Sequence, residues 1–136
     1  MPATADNAVA RTLLLSQFSV HPWRLSPQVV LDEMSSYAAS PSFDELLDNL
    51  AYGETQQGAP RGSLEHPLVI GWGRQDRVCF LGQAKRAMEL FPDAHLYWFD
   101  HSGHFPHWDA PRETTQLILL STRDHAAVRE SGLRAA

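Results

Sequence analysis

The stretch PLVIGWGRQDRV, residues 67–78, joins an apolar run to a polar loop, and the reading of the fold turns on that junction. PLVIGW is the kind of short continuous apolar segment seen in a strand covered on both faces. Gly73 ends it, and Asp76 lies in the loop that follows. Further on, Leu81, Ala84, Met88 and Phe91 fall on one face at helical spacing, and Pro92 closes that helix. AHLYWF, residues 94–99, reads as a second strand rich in aromatics. A last helix follows Pro111, carries Leu117 and Leu120, and ends near Arg123. Strand, helix, strand, helix predicts two parallel strands joined by a right-handed crossover, hence an α/β class. Two such strands do not complete a sheet, because parallel strands are normally covered on both faces and paired on both sides. Either a partner supplies the remaining strands or the chain is the later part of a longer protein.

Upstream, YGETQQGAPRGSLEHP, residues 52–67, is poor in large apolar residues and reads as a linker or long loop. Before it the periodicity is helical. Ser26 and Pro27 form a cap and first turn, with Val30, Met34 and Tyr37 on one face. In SPSFDELLDNL, Ser42 with Glu45 predicts a capping box, Phe43, Leu46, Leu47 and Leu50 an apolar stripe, and Gly53 a stop. The charged C-terminal stretch after Ser121 reads as a solvated, frayed tail.

The 136 residues are enough for one modest domain with a real core. A formal charge of −5, with Lys and Arg scattered singly, provides no basic stripe for phosphates or anionic lipid, so neither nucleic acid nor a membrane surface is an expected partner. The single cysteine, Cys79, forms no internal disulfide and fits a reducing, cytoplasmic compartment. Locally it reads as a small buried thiol. The N-terminal apolar run is interrupted by Ser16 and Gln17 and fits neither a signal peptide nor a spanning helix.

In an open parallel sheet, functional groups gather in loops at the carboxyl ends of the strands. One such loop presents Asp76 and the other, DHSGHF, presents His104. If the strands are neighbours, an aspartate can accept a bond from one imidazole nitrogen and leave the other to take a proton from a nucleophile. The plainer alternatives are a turn aspartate capping the next helix and a partly buried loop histidine. His101, His104 and His107 also allow a zinc site with Asp100 or Asp109 as fourth ligand. Spacings of i, i+3 and i+6 do not share a helix face, however, and Gly103 and Pro106 exclude a helix there. A third reading is a non-catalytic assembly protein that uses its unpaired strand edges. The four tryptophans, at 23, 72, 98 and 108, read mainly as core and pocket lining.

PLVIGWGRQDRV, a helix, FPDAHLYWF, then SGHFPHWDAP and a closing helix together resemble the C-terminal third of the α/β-hydrolase fold. Order and spacing agree over residues 67 to about 123. The resemblance implies Asp76 as triad acid, His104 as triad base, a small-molecule substrate with an ester or related bond, and no cofactor. Residues 8–53 resemble that family's helical lid. The implied organisation is a lid segment over 1–60, a βαβα core segment over 61–125 and a tail over 126–136. Asp109 would then cap the final helix, with Pro111 in its first turn, and His101 and His107 would be surface or pocket-wall residues. The family's nucleophile lies on a Gly-x-Ser-x-Gly elbow upstream of the lid, and this sequence has no such motif. The expectation is therefore the acid and base of a triad, inactive alone, that self-associates or pairs with an N-terminal half.

Overall fold

A computed structural model describes residues 6–55 and 57–123. The expected tail over 126–136 lies outside the described residues. Helix α1 (Ala8–Leu15) leads into a short 3-10 turn (Pro22–Arg24), followed by α2 (Pro27–Ala39) and α3 (Phe43–Tyr52). Strand β1 (Val69–Gly73), α4 (Leu81–Leu90), β2 (His95–Phe99), α5 (Pro106–Asp109) and α6 (Pro111–Arg123) complete the described residues. The one-turn helix α5 corrects the expectation of no helix around the three histidines, because Pro106 stands in its first turn, where proline starts a helix instead of breaking one. The class is α/β, with a two-stranded parallel sheet among the described residues.

Local chemistry accounts for most helix starts. Asn7 Oδ1 accepts from the Val9 and Ala10 amides at 2.9 and 3.2 Å. Ser26 Oγ accepts from the Val29 amide at 3.2 Å, with Pro27 in the first turn of α2. Ser42 departs from expectation. At φ −101° and ψ 11° it lacks the extended backbone of a capping residue, and its side chain makes no cap bond, so the capping box with Glu45 does not form.

β1 and β2 pair in register from Val69 opposite His95 to Gly73 opposite Phe99. The ladder opens with the His95 amide donating to the Leu68 carbonyl at 2.8 Å and closes with the Arg74 amide donating to the Phe99 carbonyl at 3.0 Å. Because a parallel ladder uses alternate residues, the backbone groups of Val69 and Gly71 point to the opposite, outer edge of β1. Phe99 and Leu117, both buried, lie over Gly71, so that a β-carbon there would sit 2.9 and 3.5 Å from their side chains.

A second core joins the two halves of the sequence. Leu15, Leu25 and Val30 from the N-terminal helical region bury against Trp108 of α5, with Phe18, Leu31 and Phe105 packed around them. α3 contributes nothing to it. None of its residues is buried, and Leu46, Leu47 and Leu50 are 54, 47 and 75% exposed. The linker is tied down in its middle, where the Ala59 amide donates to the Leu90 carbonyl at 2.9 Å and the Gly62 amide donates to Asp93. Among the described residues, no helix is long and apolar enough to cross a membrane.

Candidate functional site

The loops leaving β1 and β2 are fastened to each other through the main chain. Besides the Arg74–Phe99 bond, the Gln75 amide donates to the Ser102 carbonyl at 3.0 Å. The contact is so close that a β-carbon on Gly73 would lie 2.0 Å from the Gly103 oxygen and 2.5 Å from the Ser102 oxygen. Only glycine fits at that junction.

This fastening brings Asp76 and His104 together. Asp76 Oδ1 accepts from the Val78 and Cys79 amides at 2.8 and 2.9 Å, which folds its own turn. Oδ2 lies 3.0 Å from His104 Nδ1. The turn aspartate and the histidine partner are thus one residue using two oxygens. It does not cap α4, whose start is closed instead by Gln83 Oε1 accepting from the Phe80 amide at 2.7 Å. The Asp76 side chain is 5% exposed and that of His104 27%. The acid is out of water while the imidazole reaches it. The His104 ring packs beside Phe105 and Phe18, at centroid distances of 5.0 and 6.1 Å. Among the described residues its Nε2 has no hydrogen-bond partner.

The three histidines do not form a metal site. Among the described residues, the one group of three such donors whose ligand atoms lie within 4.8 Å of one another is Asp76, Cys79 and His104. It includes neither His101 nor His107. His107 Nε2 turns to Glu33 Oε1 at 3.4 Å, and His101 is exposed. The proposed fourth ligands are also engaged elsewhere, Asp100 by Arg74 Nε at 2.6 Å and Asp109 by the bonds described below. One sulfur, one nitrogen and one oxygen are donors that zinc accepts, so Asp76, Cys79 and His104 could hold that ion. Any such binding would compete with the His104–Asp76 bond. Burial, and then the Asp76 carboxylate, push the Cys79 thiol above its ordinary pKa, which keeps it protonated and a poor nucleophile at neutral pH.

Asp109 is not a cap of the final helix. Its carboxylate accepts from Ser19 Oγ at 2.5 Å, from the amides of Val20 at 3.1 Å and His21 at 3.4 Å, and from the Gly103 amide at 2.8 Å. Reading Asp109 by its neighbours Ala110 and Pro111 finds a helix start and misses these partners. The long sequence separation of three of them leaves no local signal.

The chain is similar to hydrolases over part of their length. Over 57 residues it is 37% identical to a 2-hydroxy-6-oxononadienedioate/2-hydroxy-6-oxononatrienedioate hydrolase of Pseudomonas, covering 42% of this chain and 20% of that protein. A second hydrolase of that name, from Pseudomonas putida, is 27% identical over 95 residues, which is 68% of this chain and 32% of the relative. An uncharacterised protein of Mycobacterium tuberculosis is 29% identical over 112 residues, 78% of this chain and 33% of its own length. The chain thus spans between a fifth and a third of these curated relatives. No family model and no solved structure matches it.

Proposed function

We propose that the chain supplies the acid and base of an α/β-hydrolase catalytic triad, Asp76 and His104, to a nucleophile carried outside these 136 residues. The observation that carries this reading is the 3.0 Å contact between His104 Nδ1 and Asp76 Oδ2 at the carboxyl ends of two adjacent parallel strands. Asp76, held by two amides, fixes the imidazole tautomer with the proton on Nδ1. His104 Nε2 then removes the proton of the nucleophile's hydroxyl as it attacks an acyl carbon. Asp76 stabilises the resulting imidazolium, and Nε2 returns the proton to the leaving group. The chemistry requires no cofactor. The names of the relatives make small oxo acids the first substrates to assay beside simple esters.

The test is hydrolysis of a chromogenic ester by the chain alone and after addition of a polypeptide bearing a Gly-x-Ser-x-Gly elbow with the strands that precede the lid. Turnover is expected only in the mixture, and His104→Ala in this chain should lower it at least ~10³-fold. Equal turnover with wild-type and His104→Ala chains would refute the assignment.

An assembly role accompanies this proposal. Between β1 and α6 lies a hollow of about 270 Å³ whose lining includes Val69, Gly71, Phe99, Thr114, Leu117 and Ser121. Gly71 itself is exposed. We infer that the outer edge of β1 receives a further strand, from the polypeptide that carries the nucleophile or, in its absence, from a second copy of the chain.

A further inference from the structure

We infer that Asp109 is the positioning residue of the base, setting where the His104 ring stands by clipping its loop to the N-terminal helical region. The proposal rests on the acid–base reading above. Asp109 Oδ2 accepts from the Gly103 amide at 2.8 Å and from the Val20 amide at 3.1 Å. One oxygen thus bridges the residue just before His104 to a segment more than eighty positions away. Oδ1 takes the Ser19 hydroxyl at 2.5 Å, the Val20 amide at 3.2 Å and the His21 amide at 3.4 Å. Ser19 Oγ in turn accepts from the His21 amide at 3.0 Å.

Among the described residues Asp109 has no cationic partner. Four N–H and O–H donors satisfy its charge, each with a direction, so the carboxylate fixes geometry where an ion pair would tolerate drift. Asp109 is partly buried, and of its partners Ser19, 1% exposed, and Gly103 are buried. A second seam reinforces the clip. The Phe105 amide donates to the Phe18 carbonyl at 3.0 Å, and a β-carbon on Gly103 would meet that same carbonyl oxygen at 2.8 Å. His104 is therefore held on both sides, at Gly103 by Asp109 and at Phe105 by Phe18. A base that must meet its acid within about half an ångström needs such support from neighbours that do no chemistry. The same bonds make the seat of the helical region and the orientation of the imidazole one structural variable.

The experiment is proton and nitrogen NMR of the full chain, following the His104 Nδ1 proton, its exchange with solvent and the two ring-nitrogen shifts that report the tautomer. In the wild type a protected Nδ1 proton is expected, and Asp76→Asn should remove it. Asp109→Asn keeps the size of the side chain but loses one acceptor and the charge. It should speed exchange of the Nδ1 proton at least ~10-fold, while cross-strand amide shifts of β1 and β2 stay in place. Asp109→Glu, which restores a carboxylate, should recover part of the protection. Ser19→Ala removes a donor but keeps the bond to Gly103, and should lower the melting temperature without altering the His104 signals. Wild-type protection and tautomer in folded Asp109→Asn would overturn the proposal. Should that variant fail to fold, wild-type signals in Asp109→Glu together with altered signals in Ser19→Ala would do so. A Nδ1 proton unaffected by Asp76→Asn would instead sink the acid–base pair itself.

Discussion

Tyr97 shows how one side chain ties the last helix to the sheet. Its hydroxyl on β2 donates to Glu113 Oε1 on α6 at 2.6 Å. That bond first, and burial second, push the phenol up to about 12. The neutral phenol is the form that folding favours. Its contribution is complete below the unfolded value of about 10 and is lost as pH rises through the folded value. Tyr97→Phe should be less stable than wild type at neutral pH, and the difference should shrink between about pH 10 and 12, as measured by urea unfolding at each pH. A difference that stays constant across that window would contradict the assignment. At this scale the sequence was most informative where chemistry is local. Asp76 sits in a turn written by Gly73 and its neighbours, and His104 follows a glycine at a strand end. The work of Asp109 was not legible, because Ser19, Val20 and His21 reach it through tertiary packing.

The helices separate two properties that a hydrophobic period combines. The stripe on α3 and the apolar face of α6 look alike in sequence, yet Leu117 is 8% exposed and Leu50 75%. Spacing tells which side of a helix is apolar. It does not tell what lies opposite. Leu117→Ala should therefore cost about 2–5 kcal/mol in a denaturant titration, through lost burial and the cavity left under Phe99 and Gly71. Leu50→Ala should stay within about 0.5 kcal/mol. Comparable losses in the two variants would mean that α3 is covered in solution. The Ser42 cap failed for a related reason. A Ser-x-x-Glu pattern offers the bonds, but the backbone at Ser42 is not extended, so its hydroxyl is not aimed at the first turn.

For the whole molecule, the number and direction of the strands were readable, since short apolar runs alternating with a helix leave few arrangements. The packing of Leu15, Leu25 and Val30 against Trp108 was not, because it joins segments on opposite sides of the linker. An open parallel edge on β1 predicts concentration-dependent association of the chain by itself. Val69→Lys, which places a charge on that edge, should shift sedimentation velocity profiles toward monomer. Unchanged profiles would assign any association to another surface, the exposed stripe of α3 first. The backbone fastening between the two loops has a consequence for inheritance. Because the Gln75–Ser102 and Arg74–Phe99 bonds run through main-chain atoms, the two loops stay adjacent through side-chain changes that leave the backbone in place, while the ring of His104 still depends on Asp109. The two loops would pass through recombination as a single cassette, and the final setting of the imidazole would come from the helical region that Asp109 joins to it.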